Sequence, residues 1–187
     1  MDTSFVIRLT LFSLLCALLQ FPVLQTIVEW DKLAIYSGQW WRIVTGNFSH
    51  TNLAHMAMNL AGLWVICYLF RPAIRPTLWV IGVSATLIGL ALLLTNISHY
   101  LGLSGVLHAV FAYWALSEAL EGRKSSWLLV LGVVGKVAWE GVYGASEATS
   151  QLIEASVATQ AHAVGMVVGL LMALLHYVRS HRLQHDS

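Results

Sequence analysis

Long apolar runs separated by short polar joints make up most of the chain, and six of them predict membrane-spanning helices. They cover residues 5–24, 53–70, 77–95, 103–120, 127–142 and 157–178. A bilayer core takes about 20 residues per helix, so six spans use most of the sequence and leave no room for a soluble domain. The breaker Arg71-Pro72-Ala73-Ile74-Arg75-Pro76 parts the second run from the third. No repeat of 20–50 residues and no low-complexity tract interrupts the pattern. The expectation is an all-α membrane protein, one six-transmembrane-helix domain over residues 1–187. The first run carries Arg8 but no small-x-small cleavage site, so it reads as a retained helix rather than a signal peptide.

Composition agrees and excludes other classes. Hydrophobic residues are 58% of the chain and mean hydropathy is +0.72. Charged residues are 10%, against about 25% in soluble proteins. That excludes a disordered chain, a nucleic-acid binder with a basic face and an ordinary cytosolic enzyme. Cys16 and Cys67 lie in apolar runs and read as small buried hydrophobes, not as a disulfide or a metal cluster.

The net charge of +1 says little, but the positions of the charges predict topology. With the N-terminus inside, Arg8, Arg71, Arg75, Arg123, Lys124, Arg179 and Arg182 fall on the inner side. Only Lys32 and Arg42 fall outside, with Lys136 inside the fifth span. Basic residues concentrate in cytoplasmic loops, so both termini are expected to be cytoplasmic.

In that topology spans two, four and six all enter from the outer face, and their first turns lie at one depth. Those turns contain His50 to Asn59, Gly102-Leu103-Ser104-Gly105, and Ala161-His162 followed by Gly165 and Gly169. Polar groups in a span are costly and tend to mark function. His55 and Asn59 share one helical face, and so do His162, Gly165 and Gly169. Small residues on that face, opposite Gly105 and Ala109, allow close helix approach and bring His162 to Ser104. A hydroxyl beside an imidazole is a minimal activated nucleophile. The start of a helix favours a developing oxyanion, and His55 and Asn59 add donors for it.

Each residue alone has a plainer reading. Ser104 can be a cap, His162, His55 and Asn59 interhelical donors, and Gly165 with Gly169 a packing pair. His50 and His99 read as interfacial, and His176, His181 and His185 as boundary or tail residues. The coincidence of depth and chemistry favours the joint reading. No His-Glu-x-x-His or similar cluster appears, so neither a metal nor another cofactor is expected. Lys136 and Glu140 stand one turn apart and read as a structural ion pair, the alternative being contact with a basic or glycine-rich substrate tail.

These residues resemble the rhomboid intramembrane serine proteases over nearly all of the chain after the first span. The resemblance rests on Trp41-Arg42, His50-x4-His55-x3-Asn59, Gly102-Leu103-Ser104-Gly105 and Ala161-His162-x2-Gly165-x3-Gly169. It implies a six-helix rhomboid-like bundle and a Ser104–His162 dyad without an acidic third member. It also implies an oxyanion pocket from His55, Asn59 and the Ser104 N–H. Gly102, Gly105, His108, Gly165 and Gly169 are supporting residues in this reading. His108 stands where rhomboids often carry a tyrosine packed on the catalytic histidine. Gly-Leu-Ser-Gly-Val-Leu-His-Ala, Gly46-Asn47-Phe48-Ser49-His50, the compact six-span build, and Lys136 with Glu140 resemble the rhombosortase branch. That branch processes secreted bacterial proteins with a C-terminal Gly-Gly anchor segment.

The expected function is therefore cleavage of a membrane-anchored protein near the outer leaflet. The expected location is the bacterial cytoplasmic (inner) membrane, with the active site toward the periplasmic or outer face. Partners would be anchored protein substrates, including Gly-Gly anchors, and the lipid bilayer, with no nucleic acid. Residues 144–156 are expected to form a mobile cover, and by resemblance span five and this loop would form a gate. Trp30, Trp40 and Trp41 suit an interfacial anchor. The alternatives are a catalytically inactive rhomboid-like binding protein or a small membrane transporter. Against them stand the retained serine and histidine, the lack of duplicated halves, and the lack of any mid-span acid besides Glu140.

Overall fold

Proline placement decides how the first apolar run folds. The computed structural model describes residues 3–185, and there the run divides into α1 (Thr3–Leu18) and α2 (Pro22–Val28), which meet at 97°. Pro22 occupies the first turn of α2, where its missing N–H costs nothing, and Phe21 before it is extended (φ −62°, ψ 129°). The span expected over 5–24 is thus a bent pair of helices.

The segment joining this pair to the next long helix folds into β1 (Trp30–Asp31), α3 (Lys32–Tyr36), α4 (Arg42–Thr45) and a 3-10 turn at Gly46–Phe48. The long helices follow: α5 (Leu53–Phe70), α6 (Ile74–Leu92), α7 (Ser104–Leu120), α8 (Ser126–Tyr143) and α10 (Thr159–His185). A second short strand, β2 (His99–Tyr100), precedes α7, and a short helix, α9 (Glu147–Ile153), precedes α10. The Asn52 side chain caps α5 by accepting from the His55 N–H at 2.8 Å. Arg71 ends α5 in the left-handed region (φ 44°), and Pro72 follows. Pro76 is tolerated in the first turn of α6, so that helix starts three residues before the expected 77 and also ends earlier, at Leu92.

Among the described residues four helices, α5, α6, α8 and α10, are long and apolar enough to cross a membrane. The bent α1–α2 pair makes a fifth if counted as one span. The fourth expected span, α7, is 17 residues long. It is enclosed by α5, α6, α8 and α10, and packs most extensively on α10.

Small residues explain that contact. A Cβ on Gly165 would collide with the carbonyl oxygen of Gly105, and one on Gly169 with that of Ala109. A Cβ on Gly105 would sit 2.9 Å from the Ala161 carbonyl oxygen. Bare backbone therefore lets α7 and α10 approach closely enough to bring their first turns together.

The 29–52 segment lies against α6. The Trp30 indole is fully buried and donates to the Gly89 carbonyl at 3.0 Å. Asn47 donates to the Ala85 carbonyl at 3.1 Å. Buried Arg42 donates to the carbonyls of Glu29 and Thr26, each at 2.8 Å, satisfying the end of α2 with a cation. The expected interfacial role thus fails for Trp30, while Trp40 and Trp41 remain exposed. β1 pairs with β2 in antiparallel register, Trp30 opposite Tyr100 and Asp31 opposite His99. That pairing anchors the loop leading into α7.

Candidate active site

Ser104 is the first residue of α7, and His162 lies in the first turn of α10. Backbone contact through Gly105 and Gly165 sets their separation: Ser104 Oγ and His162 Nε2 are 2.8 Å apart. The His162 ring is buried, and its other nitrogen, Nδ1, meets Glu140 Oε2 at 2.8 Å. Glu140 Oε1 accepts from Lys136 Nζ at 2.7 Å. The i,i+4 pair expected on the fifth span therefore exists, but it also reaches the imidazole. The resemblance implied no acidic third member, and the geometry differs from it by placing a carboxylate there. Sequence reasoning missed this contact. The only signal for it was a lone acid in the fifth span, with no indication of how α8 turns toward α10.

His108, one turn below Ser104, donates from Nδ1 to the Ser104 carbonyl at 2.7 Å. Its ring stacks on His162 with centroids 4.2 Å apart and 17° between planes. His108, Glu140 and His162 each bring a ligand atom to one small region. The stack does not suit a metal, because an ion must lie in the plane of each imidazole it binds. Two nearly parallel rings have no common plane.

The Gly102 turn brings α5 to the same place. Gly102 has φ +138°, open to glycine and strained for other residues. A Cβ there would lie 2.9 Å from His55 Cε1, 3.0 Å from Nε2 and 4.0 Å from Asn59 Nδ2. Tyr100 donates to the Gly102 carbonyl at 2.7 Å, and the Gly102 N–H to the Gly46 carbonyl at 3.2 Å. Asn59 Nδ2 is buried without a hydrogen-bond partner among the described residues. At His55 Nδ1 the Thr51 N–H approaches to 3.5 Å and the Thr51 hydroxyl to 3.1 Å.

A cavity of about 470 Å³ opens over Ser104 and is lined by Thr51, His55, Tyr100, Ile153 and Ser156 among others. The expected cover over 144–156 contains α9, whose Ser146 side chain accepts from the Thr149 N–H at 3.1 Å. Its last turn is tied to the start of α5, with Thr51 Oγ1 donating to the Ile153 carbonyl at 2.6 Å and Asn52 to that of Leu152 at 3.0 Å.

The other histidines separate clearly. His99 is exposed, 3.7 Å from Asp31, as a boundary residue should be. His50 is not interfacial but completely buried, edge-on to His55 with centroids 5.0 Å apart. Burial, reinforced by His55, pushes its pKa down to about 3. His176 bonds the Tyr113 hydroxyl at 2.9 Å, and His181 packs on Tyr177. The side chain of His185 lies outside the described residues.

Residues 37–179 match the family model described as the Rhomboid domain. The chain belongs to the rhomboid family. With its apolar helices, it is an integral membrane protein. It is similar to the rhomboid protease GlpG of Serratia proteamaculans (strain 568), 32% identical over 155 residues. That stretch covers 78% of this chain and 51% of the relative, so the chain spans about half the length of the curated relative it matches. The rhomboid match takes in His55, Asn59, Ser104, His108, Lys136, Glu140 and His162, while α1 and α2 lie outside it.

Proposed function

We propose that the protein is an intramembrane serine endopeptidase that cleaves a membrane-anchored protein near the outer leaflet. The observation carrying this reading is the 2.8 Å contact between Ser104 Oγ and His162 Nε2 beneath an open cavity in a rhomboid chain. His162 Nε2 takes the Ser104 proton as Oγ attacks the scissile carbonyl carbon. The imidazolium then gives that proton to the leaving amine as the C–N bond breaks. Water next loses a proton to Nε2 and attacks the acyl ester. The proton returns to Oγ as the acid product leaves.

The oxyanion formed in each addition accepts hydrogen bonds from Asn59 Nδ2, His55 Nε2 and the Ser104 N–H. Asn59 Nδ2 has no hydrogen-bond partner among the described residues, and a donor held ready in this way does not have to reorganise during the reaction. Gly102, Gly105, Gly165 and Gly169 support the site by close backbone approach.

The substrate class follows the resemblance to rhombosortases: secreted bacterial proteins with a C-terminal Gly-Gly anchor segment. The excess of basic residues on one side supports cytoplasmic termini in a bacterial inner membrane, with the cavity toward the periplasmic or outer face. Residues 1–187 then form one six-span domain, with α1–α2 as the first span and α7 as the fourth.

Labelling with a serine-directed fluorophosphonate tests the reaction class. Wild type should be labelled, while Ser104→Ala and His162→Ala should be neither labelled nor able to release an anchored substrate. Unlabelled wild type, or processing by either variant, refutes the reading in favour of a binding or transport protein. Comparing proteins released with and without Ser104→Ala tests the substrate class, which fails if the released set lacks Gly-Gly tails.

A further inference from the structure

We infer that Glu140 is a positioning residue for His162, and that Lys136 is the counter-ion that keeps Glu140 ionised. This rests on the serine protease reading above and adds a third and a fourth member to it.

Ser104 Oγ, His162, Glu140 and Lys136 form one hydrogen-bonded series, with successive contacts of 2.8, 2.8 and 2.7 Å. An ionised carboxylate has no proton to give, so Glu140 Oε2 must accept from His162 Nδ1–H. That assignment leaves Nε2 bare, facing the hydroxyl it has to deprotonate. Without the carboxylate a neutral imidazole can carry its proton on either nitrogen, and one of the two forms is useless as a base. Glu140 also supplies charge opposite the imidazolium formed as Ser104 attacks, the role an acidic residue plays in a serine protease triad.

Lys136 makes the arrangement workable at this depth. A lone carboxylate in a largely apolar setting tends to take up a proton. As an acid it would become a donor and compete with Nδ1–H. The ammonium on Oε1 opposes this. The side chain of Glu140 is 13% exposed and that of Lys136 is 50% exposed, so the carboxylate is the more enclosed partner of the pair. His108 fixes the ring by a different means, its stacked face. Edge and face of His162 are both held.

A purely structural ion pair on α8 predicts different behaviour from a positioning residue, and Glu140→Gln distinguishes them. The amide cannot satisfy both neighbours. If its NH2 faces Lys136, donor meets cation. If its NH2 faces His162, the ring proton moves to Nε2 and blocks transfer from Ser104. Replacing the lysine as well, in Lys136→Met/Glu140→Gln, frees the amide to turn its oxygen to Nδ1–H.

The experiment measures fluorophosphonate labelling rate, kcat and KM per folded molecule in detergent, with thermal unfolding as the check on folding. For Glu140→Gln, labelling rate and kcat should fall by on the order of 10³-fold with KM little changed. Glu140→Asp should lie between the single variant and wild type, and the double variant should regain part of the loss. If Glu140→Gln does not fold, the double variant decides, because the assignment still requires it to be slower than wild type. Wild-type labelling by the folded Gln variant, or by the double variant where the single fails to fold, overturns the role of Glu140. A double variant no faster than a folded single overturns that of Lys136. An unlabelled wild type instead defeats the protease reading itself, so the two failures are distinguishable.

Discussion

His108 and His162 lie face to face, 4.2 Å apart and 17° from parallel, and the same His108 donates from its ring to the Ser104 carbonyl. The residue thus braces the proposed base and the backbone of the proposed nucleophile together. Removing the flat face in His108→Ala should lower kcat by roughly 10- to 100-fold through misplacement of His162. His108→Tyr, the residue often found here in the rhomboids this sequence resembles, should recover most of the rate. Steady-state kinetics on an anchored substrate would check both, and an unchanged His108→Ala would remove the bracing role.

Asn59 presents a buried donor with nothing to bond. Such a group costs stability, about 1–3 kcal/mol when left unsatisfied. It is useful only when an oxyanion arrives. Asn59→Leu should therefore raise the melting temperature while reducing kcat by about 10²-fold or more. A variant that loses stability and keeps its rate would contradict the oxyanion role.

Contact between the first turns of α7 and α10 depends on Gly165. Its added Cβ would strike the Gly105 carbonyl oxygen, and that oxygen belongs to rigid helix backbone. Gly165→Ala should destabilise the protein by about 1–3 kcal/mol, lower its melting temperature and slow fluorophosphonate labelling of the remaining folded molecules. Gly132, within α8, has open space where a Cβ would go, so Gly132→Ala meets no clash, should slightly raise the melting temperature by removing a poor helix former, and serves as the control.

His50 predicts a pH dependence of stability. Its folded pKa is lowered from 6.5 to about 3, so between these values the unfolded chain binds a proton that the native protein excludes. Stability from this group is complete above the unfolded pKa and declines as pH falls toward the folded one. The slope reaches at most about 1.4 kcal/mol per pH unit. Thermal unfolding from pH 7 to pH 4 should show this decline, and His50→Leu should make it shallower. Identical slopes for variant and wild type would contradict a buried neutral His50.

Much of this site was legible before the structure because it depends on periodicity. Ser104 opens an apolar run, His162 shares a helical face with Gly165 and Gly169, and that face meets Gly105 and Ala109 as small residues require. Two kinds of feature were not legible. The 29–52 segment has no repeating pattern, so nothing local distinguishes fully buried Trp30 and His50 from exposed Trp40 and Trp41. Glu140 announced its i,i+4 lysine, but its contact with His162 depends on how α8 is rotated and raised against α10. Hydropathy does not encode that. Pro22 is a different case, visible in the sequence as a breaker yet submerged in an otherwise apolar run.

On the proposed topology, the shortness of α7 measures how deep the proposed chemistry sits. Seventeen residues end at the charged turn Glu121-Gly122-Arg123-Lys124, which on the proposed six-span topology marks one edge of the hydrocarbon layer. Such a helix rises about 26 Å, whereas the layer is about 30 Å thick. On that topology Ser104 stops roughly 4 Å short of the opposite edge by the same arithmetic, and any tilt of α7 lowers it further. A peptide bond in an intact helix at that depth would be sealed in lipid, so a substrate of the proposed protease would have to offer a segment that unwinds within the last turn of its own span. Two adjacent glycines, poor helix formers with bare backbones, unwind there more readily than other residues.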